Sequence, residues 1–138
     1  MTPEEIRQAT FATLSSNWAT LATPTPPAIC FPNQPFTAPT TSPWIRPIIK
    51  MGETTVGEIG ESGVGLRQGI LMISIFDIAG KGTRRALEYA AILENIFRRK
   101  DVNGIIFNEP TTDHLGIDDN GFYHVMTSID FDCWIGEQ

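Results

Sequence analysis

Cysteine is scarce in this chain, with only Cys30 and Cys133 in 138 residues. Nothing around them suggests a secreted disulfide framework, so both are expected to be reduced. Basic residues are also few, 10 Lys plus Arg against 16 Asp plus Glu, for a net charge of −6. That balance argues against wrapping DNA, which takes clustered cations to displace counterions from phosphates. An acidic surface can still line a DNA conduit, because like charge keeps the polymer from sticking. The one basic cluster, Arg98-Arg99-Lys100, falls at the expected end of a helix, where it complements the dipole. No apolar run approaches the roughly 18 residues of a membrane span. The opening MTPEEIRQ is acidic and amphipathic, unlike a signal peptide. These absences predict a soluble protein made in a cytoplasm.

What is present suits a globular chain. Hydrophobic residues make up 41% and charged residues 19%, and the length predicts a single domain over 1–138. At this size roughly two-thirds of the unfolded surface can be buried without a metal or disulfide staple. Thr2-Pro3-Glu4-Glu5 reads as an N-cap threonine, a proline at N1 and a glutamate closing a capping box. Ile6, Ala9, Leu14 and Trp18 continue at helical spacing, predicting a helix over about 3–19. A second helix is predicted over about 83–99, capped by Thr83, with Ala86, Tyr89, Ala90, Leu93, Ile96 and Phe97 as its buried stripe.

Between Pro24 and Pro47 lie 8 of the 10 prolines, which excludes a helix or a central strand there. Phe31, Phe36 and Trp44 punctuate the stretch, so 24–43 reads as an extended segment laid over the body with its aromatics docked. A strand is expected at about 44–51. Residues 52–69 hold six glycines, and that density predicts a long, mobile β-hairpin rather than a packed element. Ile70 to Ile78 is almost continuously apolar and must be covered on both faces. A short strand is expected near Ile105–Asn108, and Asp118-Asp119-Asn120-Gly121 is a hairpin turn signal. The last strand, about 122–135, alternates a core face (Tyr123, Val125, Thr127, Ile129, Phe131, Cys133, Ile135) with one that mixes acids and aromatics. That second face suits a protein contact or a channel wall. The fold class expected is α+β, a mixed and mainly antiparallel sheet with two helices packed on one face and a long Gly-rich hairpin.

Motifs that would carry chemistry fail on inspection. A Walker loop on Gly80-Lys81 needs glycine where Ile75 stands and Ser or Thr where Gly82 stands. A calcium loop aligned on Gly121 puts Gly116 and Thr127 at positions that need oxygen-rich ligands, and neither supplies a carboxylate. His114 and His124 could approach across a hairpin, but no third metal ligand is fixed. Cys133 lies on the core face, where a thiol is inert, and Ser74 has no adjacent base. Asp130 and Asp132 share a strand face about 7 Å apart, more consistent with a solvated face than an acid/base pair. No catalytic, metal or cofactor site is expected.

The run Phe31-Pro32-Asn33-Gln34-Pro35-Phe36, then Pro43-Trp44-Ile45-Arg46, then a Gly-rich hairpin closing on Gly65-Leu66-Arg67-Gln68-Gly69 resembles the tail terminator (tail completion) proteins of long-tailed bacteriophages. The strand Ile70–Ile78, the Gly80-Lys81-Gly82 turn and the helix from Thr83 complete the likeness. It runs from about residue 3 to 135, in order and texture rather than in any one diagnostic motif. The resemblance implies a non-enzymatic virion protein, assembled in the host cytoplasm. It further implies a homo-hexameric ring that caps the head-proximal end of the tail tube, stops its polymerisation and joins a head-completion or connector protein. DNA passes through the lumen of such a ring without sequence-specific binding.

Interface candidates are Arg46 and Arg67, since arginine is favoured at interfaces, with Glu58, Glu61 and Leu66 in the hairpin and Asp130 and Asp132 on the last strand. Competing readings are another connector or stopper ring protein, a small phosphate-ligand-binding protein using the Gly80 turn, or a peptide-binding adaptor with an open sheet edge.

Overall fold

The computed structural model describes residues 2–21, 26–39, 41–56, 65–80, 82–119 and 121–135. Helix α1 spans Pro3–Leu21. It starts on the expected capping box, with Glu5 N–H donating to Thr2 Oγ1 at 3.2 Å and Thr2 N–H to Glu5 Oε1 at 3.1 Å. Its buried stripe is Ile6, Thr10, Phe11, Leu14 and Trp18. Thr10 and Phe11 join the stripe the spacing predicts, and Ala9 sits at its margin. Helix α2 spans Arg84–Phe97 and buries Ala86, Ala90, Leu93, Ile96 and Phe97. Thr83 stands at its N-cap but makes no side-chain capping bond. Arg98, at the C-cap of α2, and Arg99 direct their guanidinium groups to the Glu94 and Glu109 carboxylates, so two members of the basic cluster are held in ion pairs at the helix end.

The strands are β1 (Ala28–Ile29), β2 (Trp44–Val56), β3 (Gly65–Ile78), β4 (Asp101–Val102), β5 (Ile105–Phe107), β6 (Thr111–Ile117) and β7 (Phe122–Ile135). They form one seven-stranded sheet in the order β1-β2-β3-β7-β5-β4, with β6 also paired to β7. Among the described residues only the β1–β2 pairing is parallel. The fold is therefore α+β, as the sequence predicts. Both helices cover the same sheet face, where Ile45, Leu71, Ile73, Ile75, Val125, Ile129 and Phe131 meet Leu14, Trp18, Leu93 and Phe97 in one core cluster. Each such large side chain contributes about 1.5–3 kcal/mol through burial.

The proline-rich stretch contributes the two-residue edge strand β1, and Pro47 falls inside β2, in the strand expected from about residue 44. Cys30 N–H donates to Ile45 O at 2.8 Å across the outer edge of β2. Pro47, two residues on, turns its nitrogen to that same edge beyond the end of β1, where no ladder donor is required. The glycine-rich stretch is also more regular than its composition suggests, because β2 and β3 pair as far as Val56↔Gly65. Gly69 is in fact a packing position: a Cβ there would lie 2.5 Å from Phe131 Cζ and 2.9 Å from Lys50 O. Residues 57–64, the tip of the expected hairpin, lie outside the described residues.

The proline-rich segment docks its aromatics as expected. Phe31 packs on Phe11 with ring centroids 5.2 Å apart, and Phe36 on Trp44 at 5.3 Å. The buried Trp18 indole donates to Pro27 O at 2.9 Å, tying α1 to the start of β1.

Candidate assembly interface

Among the described residues the second sheet face carries no helix. Strand alternation puts Trp44, Arg46, Ile48 and Lys50 of β2 there, with Leu66, Gln68, Ile70, Met72, Ser74 and Phe76 of β3. From β7 come Phe122, His124, Met126, Ser128, Asp130 and Asp132. The pairing register aligns these residues in rows, Arg46–Ser74–Met126, then Ile48–Met72–Ser128, then Lys50–Ile70–Asp130. β6 extends the first row to Asp113 and the second to Thr111.

The two ends of the face differ. At the upper end Phe76 is stacked between Trp44 (4.2 Å, 19°) and His124 (4.5 Å, 21°), with the Arg46 guanidinium 5.2 Å from its ring centroid. Together with Phe122 and Phe36 this makes a satellite cluster that covers this end of the central strand. Burial pushes the His124 imidazole below its ordinary pKa, the Arg46 charge pushes the same way, and Asp118 opposes them. Toward the other end that cover stops. Ile70 and Met72 are half-buried and Ile48 is exposed, so the central strand is covered on its second face only in part. Below them is an open groove of about 430 Å³ lined by Lys50, Gln68, Ile70, Asn108, Asp130 and Asp132. Asp132 accepts from Gln68 Nε2 at 3.2 Å and Asn108 Nδ2 at 3.4 Å. The groove thus has a cationic wall on β2 and an anionic wall on β7.

Four of the sequence-derived candidates, Arg46, Leu66, Asp130 and Asp132, share this face. Arg46 is eight positions from Leu66 across the ladder, about 26 Å, so they mark its opposite ends. Arg67 points to the other face beside Cys133, its register partner. Glu58 and Glu61 lie outside the described residues. The sequence reading missed Lys50 and Asp113, because their placement depends on cross-strand register and no single strand displays it.

Residues considered for chemistry have other duties. His114 Nδ1 lies 2.6 Å from Tyr123 Oη on the helix side of the sheet, whereas His124 stacks on the opposite face. The two histidines therefore do not converge. Asp118 is spent on its turn, accepting from Phe122 N–H at 2.9 Å. Cys133 is buried, which raises its thiol pKa and keeps it protonated. Neither cysteine is in a disulfide. Among the described residues no three His, Cys, Asp or Glu side chains come together as a metal site, and no helix is long and apolar enough to cross a membrane.

The family model described as "Phage tail terminator protein" matches residues 5–131. The chain belongs to the phage tail terminator family. Its role is accordingly structural, in the phage tail, and its place is the virion. Ten solved chains also match this tail terminator. One of them, named only by a sequence identifier, superposes with a TM-score of 0.75 at 21% identity, covering 100% of this chain and 99% of that one. At that identity the likeness shows the shared fold. No curated protein matches.

Proposed function

We propose that this tail terminator assembles, as a single domain, into a homo-hexameric ring at the head-proximal end of the tail tube. There it stops tube polymerisation and presents a surface to a head-completion or connector protein. The role involves no catalysis, and the ring forms in the host cytoplasm. The observation that carries this reading is the helix-free sheet face. Its half-exposed Ile70 and Met72, flanked by Lys50 on one side and Asp130 on the other, form a contact surface of mixed character. Arg46, Leu66, Asp130 and Asp132 act on that face, while Arg67 and the acids Glu58 and Glu61 contact neighbouring subunits or the tube. The net charge of −6 suits a lumen that lets DNA slide past without adhering.

The test is electron microscopy and native mass spectrometry of the purified protein, alone and with tail tubes. Six-fold rings, or six-fold caps on tube ends, are the expected result. A chain that stays monomeric and never occupies a tube end would overturn the reading.

A further inference from the structure

Among the described residues the sheet's open edges include those of β2 and β6, besides the two-residue β4. β1 covers β2 only at Trp44 and Ile45, leaving the outer edge of β2 unpaired from Pro47 onward. On the far side, β6 pairs with β7 alone. Unpaired edges invite strand addition, and proteins usually blunt them with charge, proline and bulges. Both edges here are partly blunted: β2 carries Pro47 and a register shift after Met51, and β6 a shift between His114 and Gly116. Over the first part of β2 the two edges are nevertheless of opposite charge, with Glu53 following farther along β2. From Arg46 to Gly52, β2 has Arg46 and Lys50 and no acid, while β6 has Asp113 and neither lysine nor arginine.

We infer that the open edge of β2 in one subunit pairs with β6 of a second copy of this chain, so that the sheet runs on from subunit to subunit. This deepens the ring proposed above and rests on it. Strand polarity permits it. β2 and β7 run the same way, each antiparallel to β3, and β6 opposes β7. Copies related by rotation about a common axis therefore bring β6 against the next β2 in antiparallel pairing.

The signs of charge select this contact over its rivals. β2 against β2 sets Lys50 near Lys50, and β6 against β6 sets Asp113 near Asp113, so both self-pairings repel. Only the heterologous pairing attracts, and heterologous contacts are the kind that close rings. β1 obstructs the top of β2, so the incoming strand sits lower by roughly two to four residues, a stagger of the sort closed sheets need. That shift brings Asp113 from the Arg46 row toward Ile48 and Lys50, all on the helix-free face. The pairing also covers side chains otherwise left in water, since Leu115 and Ile117 are 51% and 67% exposed on β6 and Ile48 is 38% exposed on β2.

Two variants, Lys50→Glu and Asp113→Lys, test the contact by assembly with and without tail tubes. Both side chains are exposed, so monomer melting temperatures should stay at the wild-type value. Alone, each variant places like charges at every junction and should need about tenfold more protein to assemble. An equimolar mixture restores an attractive pair at every junction of an alternating ring, and should assemble like wild type. Both variants remain net acidic, so bulk charge neutralisation cannot produce that rescue. Unimpaired assembly of the single variants, or failure of the mixture, would overturn the edge contact while the wild-type control still reports on the ring. A wild type that forms no ring under the same conditions removes both.

Discussion

Asp77 and Arg85 join the end of β3 to the first turn of α2 through a forked ion pair. Arg85 Nη2 and Nε donate to Asp77 Oδ1 at 2.6 and 3.0 Å, and Nε also reaches Oδ2 at 3.2 Å. The Asp77 side chain is fully buried while that of Arg85 is 42% exposed. The carboxylate also accepts from Ile78 N–H at 2.7 Å. Removing the guanidinium leaves a buried carboxylate short of its principal partner. Arg85→Leu should therefore cost about 2–3 kcal/mol, and Asp77→Asn, which keeps part of the hydrogen bonding, about 1 kcal/mol. Urea denaturation of the two variants checks the order, and equal midpoints would contradict it.

Gly69 sits where two strands and an aromatic ring converge, and any Cβ collides with Phe131 and with the Lys50 carbonyl. Gly69→Ala should lose about 2 kcal/mol through overpacking. Adding Phe131→Leu relieves the ring contact but not the backbone one, so the double variant should recover less than the whole loss. Thermal melts of the single and double variants decide this. An unchanged melting temperature for Gly69→Ala would show that the strands open at no cost.

His124 makes stability depend on acidity in a defined direction. Its folded pKa lies below the ordinary 6.5, chiefly because it is buried, so the unfolded chain takes up a proton that the folded chain resists. Stability from this group is complete above pH 6.5 and declines as the pH falls toward the folded value. Melting temperature should drop between about pH 7.5 and pH 5.5, and the drop should be smaller in His124→Gln, whose amide does not titrate. His114 is common to both proteins and cancels in the difference. An equal drop in both would place the acid sensitivity elsewhere.

Much of this architecture could be read directly from the residues. Strand β7 is legible because its alternate positions separate cleanly into apolar and polar sets, and α1 because its capping box is local in sequence. Strand β6 was signalled only by the hairpin turn after it, and its own extent was hidden for the opposite reason. An edge strand of sequence TTDHLGI with little burial has no periodicity to display. Gly69 misled because composition penalises glycine in strands, while its specific place, a tight crossing, requires one. The candidate contact surface was half legible. Asp130 and Asp132 follow from alternation alone, but the rows that set Arg46 in line with Asp113 arise only once four strands are in register. Asp77 gave no warning, since its partner lies in the following helix.

The hydrogen bond from Trp18 to Pro27 has a reach beyond the contact itself. It anchors the chain just before β1, and β1 in turn occupies the top of β2. A side chain on a helix thereby sets how far up its flank the sheet can accept a visitor. Loosening that indole would free β1 to peel away, expose Trp44 and Ile45, and offer a neighbour a second, higher seat. The tryptophan thus works as a doorstop, and in the proposed contact it would fix, from within each subunit, the height at which its neighbour docks.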